Sequence, residues 1–581
     1  MLNPSLRQLL SYLAPYRGSM FAGIGALFVV NMLGVYIPLL VRDSINQLDG
    51  SLELGRILGY VLAIAVLASL TWVIRMASRL AIFGVGRQVE FDLKQRLFQH
   101  ILKFEPAYFF TNTIGDLMNR TTSDVDNIRR LVGFALLSLA NTIFAYGLTL
   151  PFMLSLSVRL SLLVLLVYPL MLVMVQLFSG RLRDEQINVQ NALSELSQMI
   201  QEDMGGISLI KIYAQEANER FGFQVKNRQL LRSNLALARS RNLLFPLIEG
   251  LVSLSLLLLL LVGSRTIESG EISTADFIAL ILYVERLVFP TALLGFAITT
   301  YQRGEVSIER VEAILQAEPR VQNVGDAIAL PPELVQGRLT ARQLNYTYPG
   351  QTKPALQDIT FEIEPGETVA IVGPIGSGKS TLANALPRLL DIAPGQLFLD
   401  GHDITKIRLQ DLREAIAYVP QDSFLFSATV NNNIRYGQPL AERPEIEQVA
   451  KQAQIHPEII NFPRQYETLV GERGITLSGG QRQRLSLARA LLVSAPVVVL
   501  DDALSSVDNQ TATAILADFA QAGDQTVIFI SHQLAAAASA DRIFVMHQGC
   551  LVQTGTHAAL VQQEGLYQVL WQQQQLAQVL Q

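Results

Sequence analysis

"ETVAIVGPIGSGKSTL", residues 367–382, decides how the carboxyl-terminal half of the chain is read. The apolar run Thr368–Val372 has the length and β-branched content of a buried strand. Gly373, Gly378, Lys379 and Ser380 follow it in the spacing G-x-x-x-x-G-K-[ST], and a helical stretch then runs to about Pro387. Glycines let successive backbone N–H groups turn inward, and the start of a helix adds positive potential, so this loop is shaped to cradle phosphate oxygens. Gly373, Pro374, Ile375, Gly376, Ser377, Gly378, Lys379, Ser380 and Thr381 are the candidate phosphate-binding residues. Lys379 is expected to reach the β and γ phosphates, and Ser380 to offer its hydroxyl to Mg²⁺. Strand, loop and helix in that order make a chance glycine-rich turn a poor explanation.

More than a hundred residues later, "VVVLDDALSSVD" (residues 497–508) reads as another buried strand ending in two carboxylates. In nucleotide hydrolases the first, here Asp501, serves the metal. The second serves the attacking water and is usually a glutamate. Here it is Asp502, one methylene shorter. A third strand, "TVIFIS" (residues 526–531), delivers His532. A lone histidine at a strand end is more often structural, but its place in this series makes it a catalytic candidate. Beyond about residue 337, strand-like runs alternate with helical stretches and glycine turns, the pattern of an α/β domain.

The amino-terminal half is different. Of the 581 residues, 50% are hydrophobic and only 16% charged, against about 25% charged in an ordinary soluble protein. Apolar runs near 18–41, 57–80, 131–155, 158–179, 243–263 and 275–299 each have roughly the 20 residues that a membrane-spanning helix needs. The intervening segments near 81–130 and 180–242 are long and rich in Lys and Arg. That places them, and both chain ends, on the cytoplasmic side. They keep helical spacing and contain few breaks, so each is expected to continue a membrane helix outward by ~30 Å, turn, and return. The turns are expected near 112–120 and 206–216. The organisation is therefore a membrane domain over 1–305, a linker over 306–336, an α/β nucleotide domain over 337–575 and a short tail, 576–581.

Other classes are excluded or weakened. The net charge of -5 does not suit a nucleic-acid binder. The single cysteine, Cys550, excludes an internal disulfide and a cysteine zinc cluster. The start of the chain lacks the pattern of a cleavable signal peptide. In the sixth span Glu285 and Arg286 need protein or water around them. Either they contact an amphipathic substrate or they tie helices together. Asn31, Asn141 and Glu249 read as weaker candidates of the same kind, closer to helix–helix hydrogen bonds. Pro290 is expected to kink the sixth helix.

"GERGITLSGGQRQRLSLARALL" (residues 471–492) makes the reading specific. With its LSGGQ run, it resembles the signature segment of ATP-binding-cassette transporters. The rest of the set is in order: Tyr348 in "YTYPG", Gln421 in "YVPQDSFLF", Glu472 in "GERG", Asp508 in "SSVD", and His532. The resemblance covers nearly the whole chain and is to exporter half-transporters of the multidrug and lipid type, the P-glycoprotein-like group. It implies that Tyr348 stacks on adenine, and that Gln421 joins the Mg²⁺ site to the membrane domain. Ser380, Gln421 and Asp501 would hold Mg²⁺, while Asp502, His532 and Gln421 would serve hydrolysis. Ser478, Gly480, Gln481 and Asp508 would reach ATP held by a second subunit.

The match departs from the family at Asp502. Lys379, Ser380, Gln421 and Asp501 are intact, so ATP and Mg²⁺ binding should survive. A carboxylate set back by one C–C bond, ~1.5 Å, should slow hydrolysis by ~10²-fold. This resembles the degenerate-site subunit of a heterodimer; a homodimer with a working Asp502 is the other reading. The implied function is ATP-driven export of hydrophobic or amphipathic compounds across the cytoplasmic membrane. A lipid flippase, a peptide exporter, an importer on an exporter frame, and a regulatory or channel-like ATP-binding subunit stay open. Membrane lipid, a small amphipathic substrate and a second half-transporter are the expected partners.

Overall fold

The structure, a computed structural model, describes residues 4–48, 54–471, 474, 477–505, 507, 511–512, 514–516 and 525–579. The chain forms two compact units. One comprises Met1–Leu102 and Ile114–Ala317, the other Lys103–Thr113 and Glu318–Gln581.

In the first unit, six helical stretches among the described residues are long and apolar enough to cross a membrane. They are Pro4–Gln47, Gly55–Ile101, Ile114–Leu156, Val158–Gly205, Glu216–Glu268 and Thr274–Leu315. The chain is a multi-pass membrane protein. Leu54–Ile101 is one helix of 48 residues. At ~1.5 Å per residue it is more than twice as long as the ~30 Å hydrocarbon layer is thick. The apolar spans thus continue into polar arms without a break, as the spacing predicts. The sixth helix also runs unbroken through Pro290 and continues to Leu315, past the expected start of the linker at 306. Two short π-helical turns, Arg120–Asp124 and Leu131–Ala135, lie along the third stretch.

The arm ends carry short helices. Ile207–Ile212 occupies the second expected turn. It has no buried residue, and Leu209, Ile212 and Tyr213 are exposed. Near the first expected turn, 112–120, the chain passes from one short helix to another. The helix Pro106–Thr111 ends at Asn112, and Ile114–Asn119 is already helical. Residues Lys103–Thr113 group with the second unit, where Glu105 Oε2 accepts the N–H of Arg320 at 3.1 Å.

Arg286 resolves the question of the sixth span's charge. Its Nη2 donates to Asn31 O at 2.8 Å, and Asn31 Nδ2 donates to Asn141 Oδ1 at 3.1 Å. Gly34 makes room for it: a Cβ there would lie 1.9 Å from Arg286 Nη1. Arg286 is therefore a polar link among the first, third and sixth helices. Glu285 and Glu249 are exposed on the chain and take no part in it.

The second unit contains ten strands among its described residues. Leu339–Tyr346 (β1), Leu356–Ile363 (β2), Leu397–Leu399 (β4) and His402–Asp403 (β5) form an antiparallel sheet in the order β2-β1-β4-β5. Thr368–Val372 (β3), Ile416–Val419 (β6), Val497–Asp501 (β7), Thr526–Ile530 (β8), Arg542–His547 (β9) and Cys550–Gly555 (β10) form the second sheet, ordered β10-β9-β3-β8-β7-β6. Its strands are parallel except β10. Strand periodicity divides the core. Val369, Ile371, Val497 and Val499 pack with the antiparallel sheet, while Ala370, Val372, Val498 and Leu500 pack with helices on the other face. Both faces are apolar because both are covered. The chain after the sixth helix is tied to this unit at Ile328, whose N–H donates to Lys406 O at 2.7 Å. The closing helix is Leu566–Val579.

Candidate nucleotide site

The register of the parallel sheet assembles the site. Asp501 on β7 is level with Ile530 on β8, and Ile530 with Ile371 on β3. The loops leaving these three strands therefore meet at one edge, the usual ligand side of an open α/β sheet. A cavity of about 870 Å³ lies there. Its wall includes Tyr348, Ile375 to Thr381, Gln421, Asp501, Asp502 and His532.

The phosphate loop needs its glycines. Gly373, Gly376 and Gly378 have φ of +152°, +79° and +97°. A Cβ at Gly373 would lie 2.1 Å from Met546 O, and one at Gly378 2.5 Å from Ala355 O. Lys379 is buried beneath the loop. Its Nζ donates to Gly373 O and Pro374 O, both at 2.9 Å. Burial lowers its pKa below the usual lysine value, and the nearby Asp502 and Asp501 carboxylates pull in the other direction.

Ser380 Oγ donates to Asp501 Oδ1 at 2.9 Å. The Tyr418 hydroxyl lies 2.9 Å from Asn384 Oδ1 and 3.3 Å from Asp501 Oδ2. Burial raises the pKa of Asp501; these two hydrogen bonds oppose the rise, and Asp502 adds to it. Tyr418 and Asn384 were not evident from sequence. The only available signal was a polar-tipped side chain on β6, the strand beside β7.

Asp502 is buried, with φ of +49°, a conformation that aspartate tolerates better than most residues. Its N–H donates to Ile530 O at 3.2 Å, and its carbonyl accepts from Ser505 Oγ at 2.9 Å and Gln483 Nε2 at 3.4 Å. The backbone is pinned, and its side chain lines the cavity. Tyr348 reaches the loop through its hydroxyl, 3.3 Å from Thr381 Oγ1.

The signature residues are not part of this cavity wall. Ser478 caps the helix Gly479–Leu491 in a reciprocal pair: its Oγ accepts from Gln481 N at 3.2 Å, and Gln481 Oε1 accepts from Ser478 N at 2.9 Å. Gln481 Nε2 and Arg484 Nη2 both donate to Glu458, at 2.7 and 2.6 Å. Glu472 and Asp508 lie outside the described residues.

The residues fit a magnesium nucleotide. Among the described residues no three His, Cys, Asp or Glu side chains are grouped to hold an ion alone. Mg²⁺ in such sites takes only one or two carboxylates and completes its shell with other oxygens, phosphates and water. Asp501, Ser380 and Gln421 beside a phosphate loop suit that division.

The sequence matches the family model described as ABC transporter transmembrane region over residues 18–291 and the one described as ABC transporter over residues 356–505. The "Multidrug resistance-like ATP-binding protein MdlA" of Escherichia coli (strain K12) is 33% identical over 557 residues, covering 95% of this chain and 94% of that protein. The chain belongs to the ABC transporter family. A second relative of the transporter is the "Probable multidrug resistance ABC transporter ATP-binding/permease protein YheI" of Bacillus subtilis (strain 168), 31% identical over 95% of this chain and 94% of that one. Among solved structures, a bacterial Atm1-family ABC exporter with ATP bound aligns at a TM-score of 0.77 and 25% identity, over 97% of this chain and 99% of the other. The transporter thus has an exporter fold, binds ATP, and couples ATP hydrolysis to export as one half of a dimer.

Proposed function

We propose that this chain is the slow-site half of a heterodimeric exporter of hydrophobic or amphipathic compounds in the cytoplasmic membrane, with both chain ends in the cytoplasm. One observation carries the reading. Asp502 lines the same cavity as Lys379, Ser380, Gln421, Asp501 and His532, yet its carboxylate is one methylene shorter than the glutamate that hydrolysis in this family uses. Its backbone is held by Ile530, Gln483 and Ser505. The loop therefore has little freedom to move inward and make up the missing length.

The residues divide the work as follows. Tyr348 stacks on the adenine. The loop N–H groups and Lys379 hold the phosphates, Lys379 exchanging the carbonyls of Gly373 and Pro374 for phosphate oxygens. Ser380, Asp501 and Gln421 hold Mg²⁺, which when bound neutralises charge on the phosphates. Asp502 orients the attacking water weakly, and His532 faces the same space. The capped helix start at Ser478, Gly480 and Gln481, with Asp508, completes the partner subunit's nucleotide site. An intact signature opposite a fully active partner site is the arrangement that keeps such a pair working. The exposed apolar helix Ile207–Ile212 supports a docking role for the second arm against the partner's nucleotide domain. The multidrug names of the relatives support the cargo class.

The test is to purify the tagged chain from its native membrane and identify what accompanies it. A stoichiometric second half-transporter with glutamate after its strand-end aspartate, and an altered signature, is the expected result. A homodimer with full turnover overturns the reading.

A further inference from the structure

The membrane unit holds a second cavity, about 630 Å³, which the nucleotide chemistry does not use. Four helical stretches build it. Arg129 and Arg130 come from the third, Arg183 from the fourth, Arg241 from the fifth and Arg303 from the sixth. No aspartate or glutamate lines it. Its other walls are mixed: Phe134, Leu182, Leu237, Leu293 and Phe296 supply apolar surface, and Ser179, Gln186, Thr299 and Thr300 supply uncharged polar groups. The sequence places all of these near the arm-side ends of spans 131–155, 158–179, 243–263 and 275–299, where hydrocarbon gives way to water.

The arginines differ in their engagement. Arg129 pairs with Asp126 at 2.5 Å and Glu90 at 3.4 Å, and Arg130 with Asp126 at 2.7 Å. Arg183, Arg241 and Arg303 have no acidic partner among the described residues. Glu185, on the same helix as Arg183, meets Arg181 at 3.1 Å and Ser240 at 2.9 Å through Oε1, and its Oε2 is buried without a hydrogen-bond partner. Ser179 lines the cavity as well, and its hydroxyl oxygen is buried without a hydrogen-bond partner. A π-helical turn, Leu131–Ala135, carries Phe134 to the wall beside Arg129 and Arg130; such turns often mark functional positions.

Arginines near span ends are expected from membrane topology alone. That rule does not require them to converge from four helices on one hollow that also presents aromatic and leucine side chains. Guanidinium groups form paired hydrogen bonds with carboxylate, phosphate or sulfonate. An apolar wall directly beneath them accepts a hydrocarbon or aromatic body.

We propose that this cavity binds an acidic amphiphile, its anionic head on Arg183, Arg241 and Arg303 and its apolar body against Phe134 and Phe296. The head is supplied either by a transported amphipathic acid or by a resident anionic lipid. Only the first source rests on the export reading.

The test uses the full-length transporter in phosphatidylcholine nanodiscs without ATP. Three fluorescent probes are compared: dansyl-undecanoate, its uncharged methyl ester, and the cationic dansylcadaverine. The acid should bind more tightly than either control. R183Q/R241Q/R303Q should weaken it by about tenfold or more, as three partly exposed charge contacts predict, while R183K/R241K/R303K retains most of the binding. Unchanged size-exclusion profiles and thermal unfolding of both variants show that they fold. Equal binding of all three probes, or an acid affinity indifferent to the glutamine variant, overturns the proposal. Two further arms separate the sources. ATP-dependent accumulation of the acid in inverted vesicles identifies cargo; displacement by phosphatidylglycerol without accumulation identifies lipid. ATP-driven pumping of dansylcadaverine with no arginine-dependent acid binding leaves the export reading standing and removes this site. Arginine-dependent acid binding in vesicles that carry both subunits yet accumulate neither probe leaves the site and overturns the export of such amphiphiles.

Discussion

Ser380 Oγ donates a 2.9 Å hydrogen bond to Asp501 Oδ1, across 121 residues of chain. The phosphate loop and the strand-end carboxylate are thus joined before any nucleotide is considered, and the bond sets two oxygen ligands side by side. Ser380→Ala should keep the fold, since it removes one hydroxyl and leaves Asp501 with Tyr418. It should lose Mg²⁺-dependent ATP binding by roughly tenfold to a hundredfold, the loss of one or two contacts to a charged group. Titration of a fluorescent nucleotide with and without Mg²⁺ measures this; equal loss in both conditions would contradict the metal role.

Asp501 gives a pH-dependent prediction. Its pKa is raised by burial from an ordinary value of 3.8. Between that value and its folded pKa, the folded state binds more protons than the unfolded state. Its contribution to stability therefore falls as pH rises through this window. Without nucleotide, Asp501→Asn should melt above the wild type at pH 7, and the difference should shrink toward pH 4. With MgATP the order reverses, because the wild type alone gains binding energy, about 2.7 kcal/mol at a hundredfold excess over Kd. Thermal unfolding at both pH values, with and without MgATP, checks both signs.

Gly378 is held at φ of +97°, and a Cβ there meets Ala355 O at 2.5 Å. Gly378→Ala should cost about 1–3 kcal/mol in backbone strain and more from the clash, and should abolish nucleotide binding. The melting point of the nucleotide-free protein and its shift with MgATP test the two parts separately.

Arg286, Asn31 and Asn141 predict a non-additive pair. Asn31→Leu keeps the carbonyl that Arg286 Nη2 reaches at 2.8 Å but removes the 3.4 Å contact to Oδ1 and the bond to Asn141, so it should destabilise by about 0.5–1.5 kcal/mol. Because Asn31→Leu has already removed one contact of the guanidinium, adding Arg286→Met should cost less than Arg286→Met costs in the wild type. Unfolding in mild detergent reports the difference. Additive losses would mean that the residues act independently.

Much of this was legible in the sequence because the signals are local. The strands flanking the phosphate loop alternate between two apolar faces, and the glycines mark the backbone turns. The six spans follow from apolar length alone. Other features depend on partners far along the chain. Tyr418 reaches Asp501 only through strand pairing, and the rotation of the sixth helix turns Arg286 toward Asn31 while Glu285 stays exposed. The arginine-lined cavity was hidden for the same reason: its five charges are scattered over 175 positions, Arg129 to Arg303, and only helix packing gathers them.

The central claim is that Asp502 makes this chain's own ATP site slow while leaving it able to bind. The steady-state ATPase rate of the purified chain, wild type against Asp502→Glu, tests it most directly. The account predicts tight MgATP binding by both, slow turnover by the wild type, and a gain of roughly tenfold to a hundredfold on restoring the longer side chain. Fast hydrolysis by the wild-type chain alone, unchanged or reduced by the substitution, would contradict it.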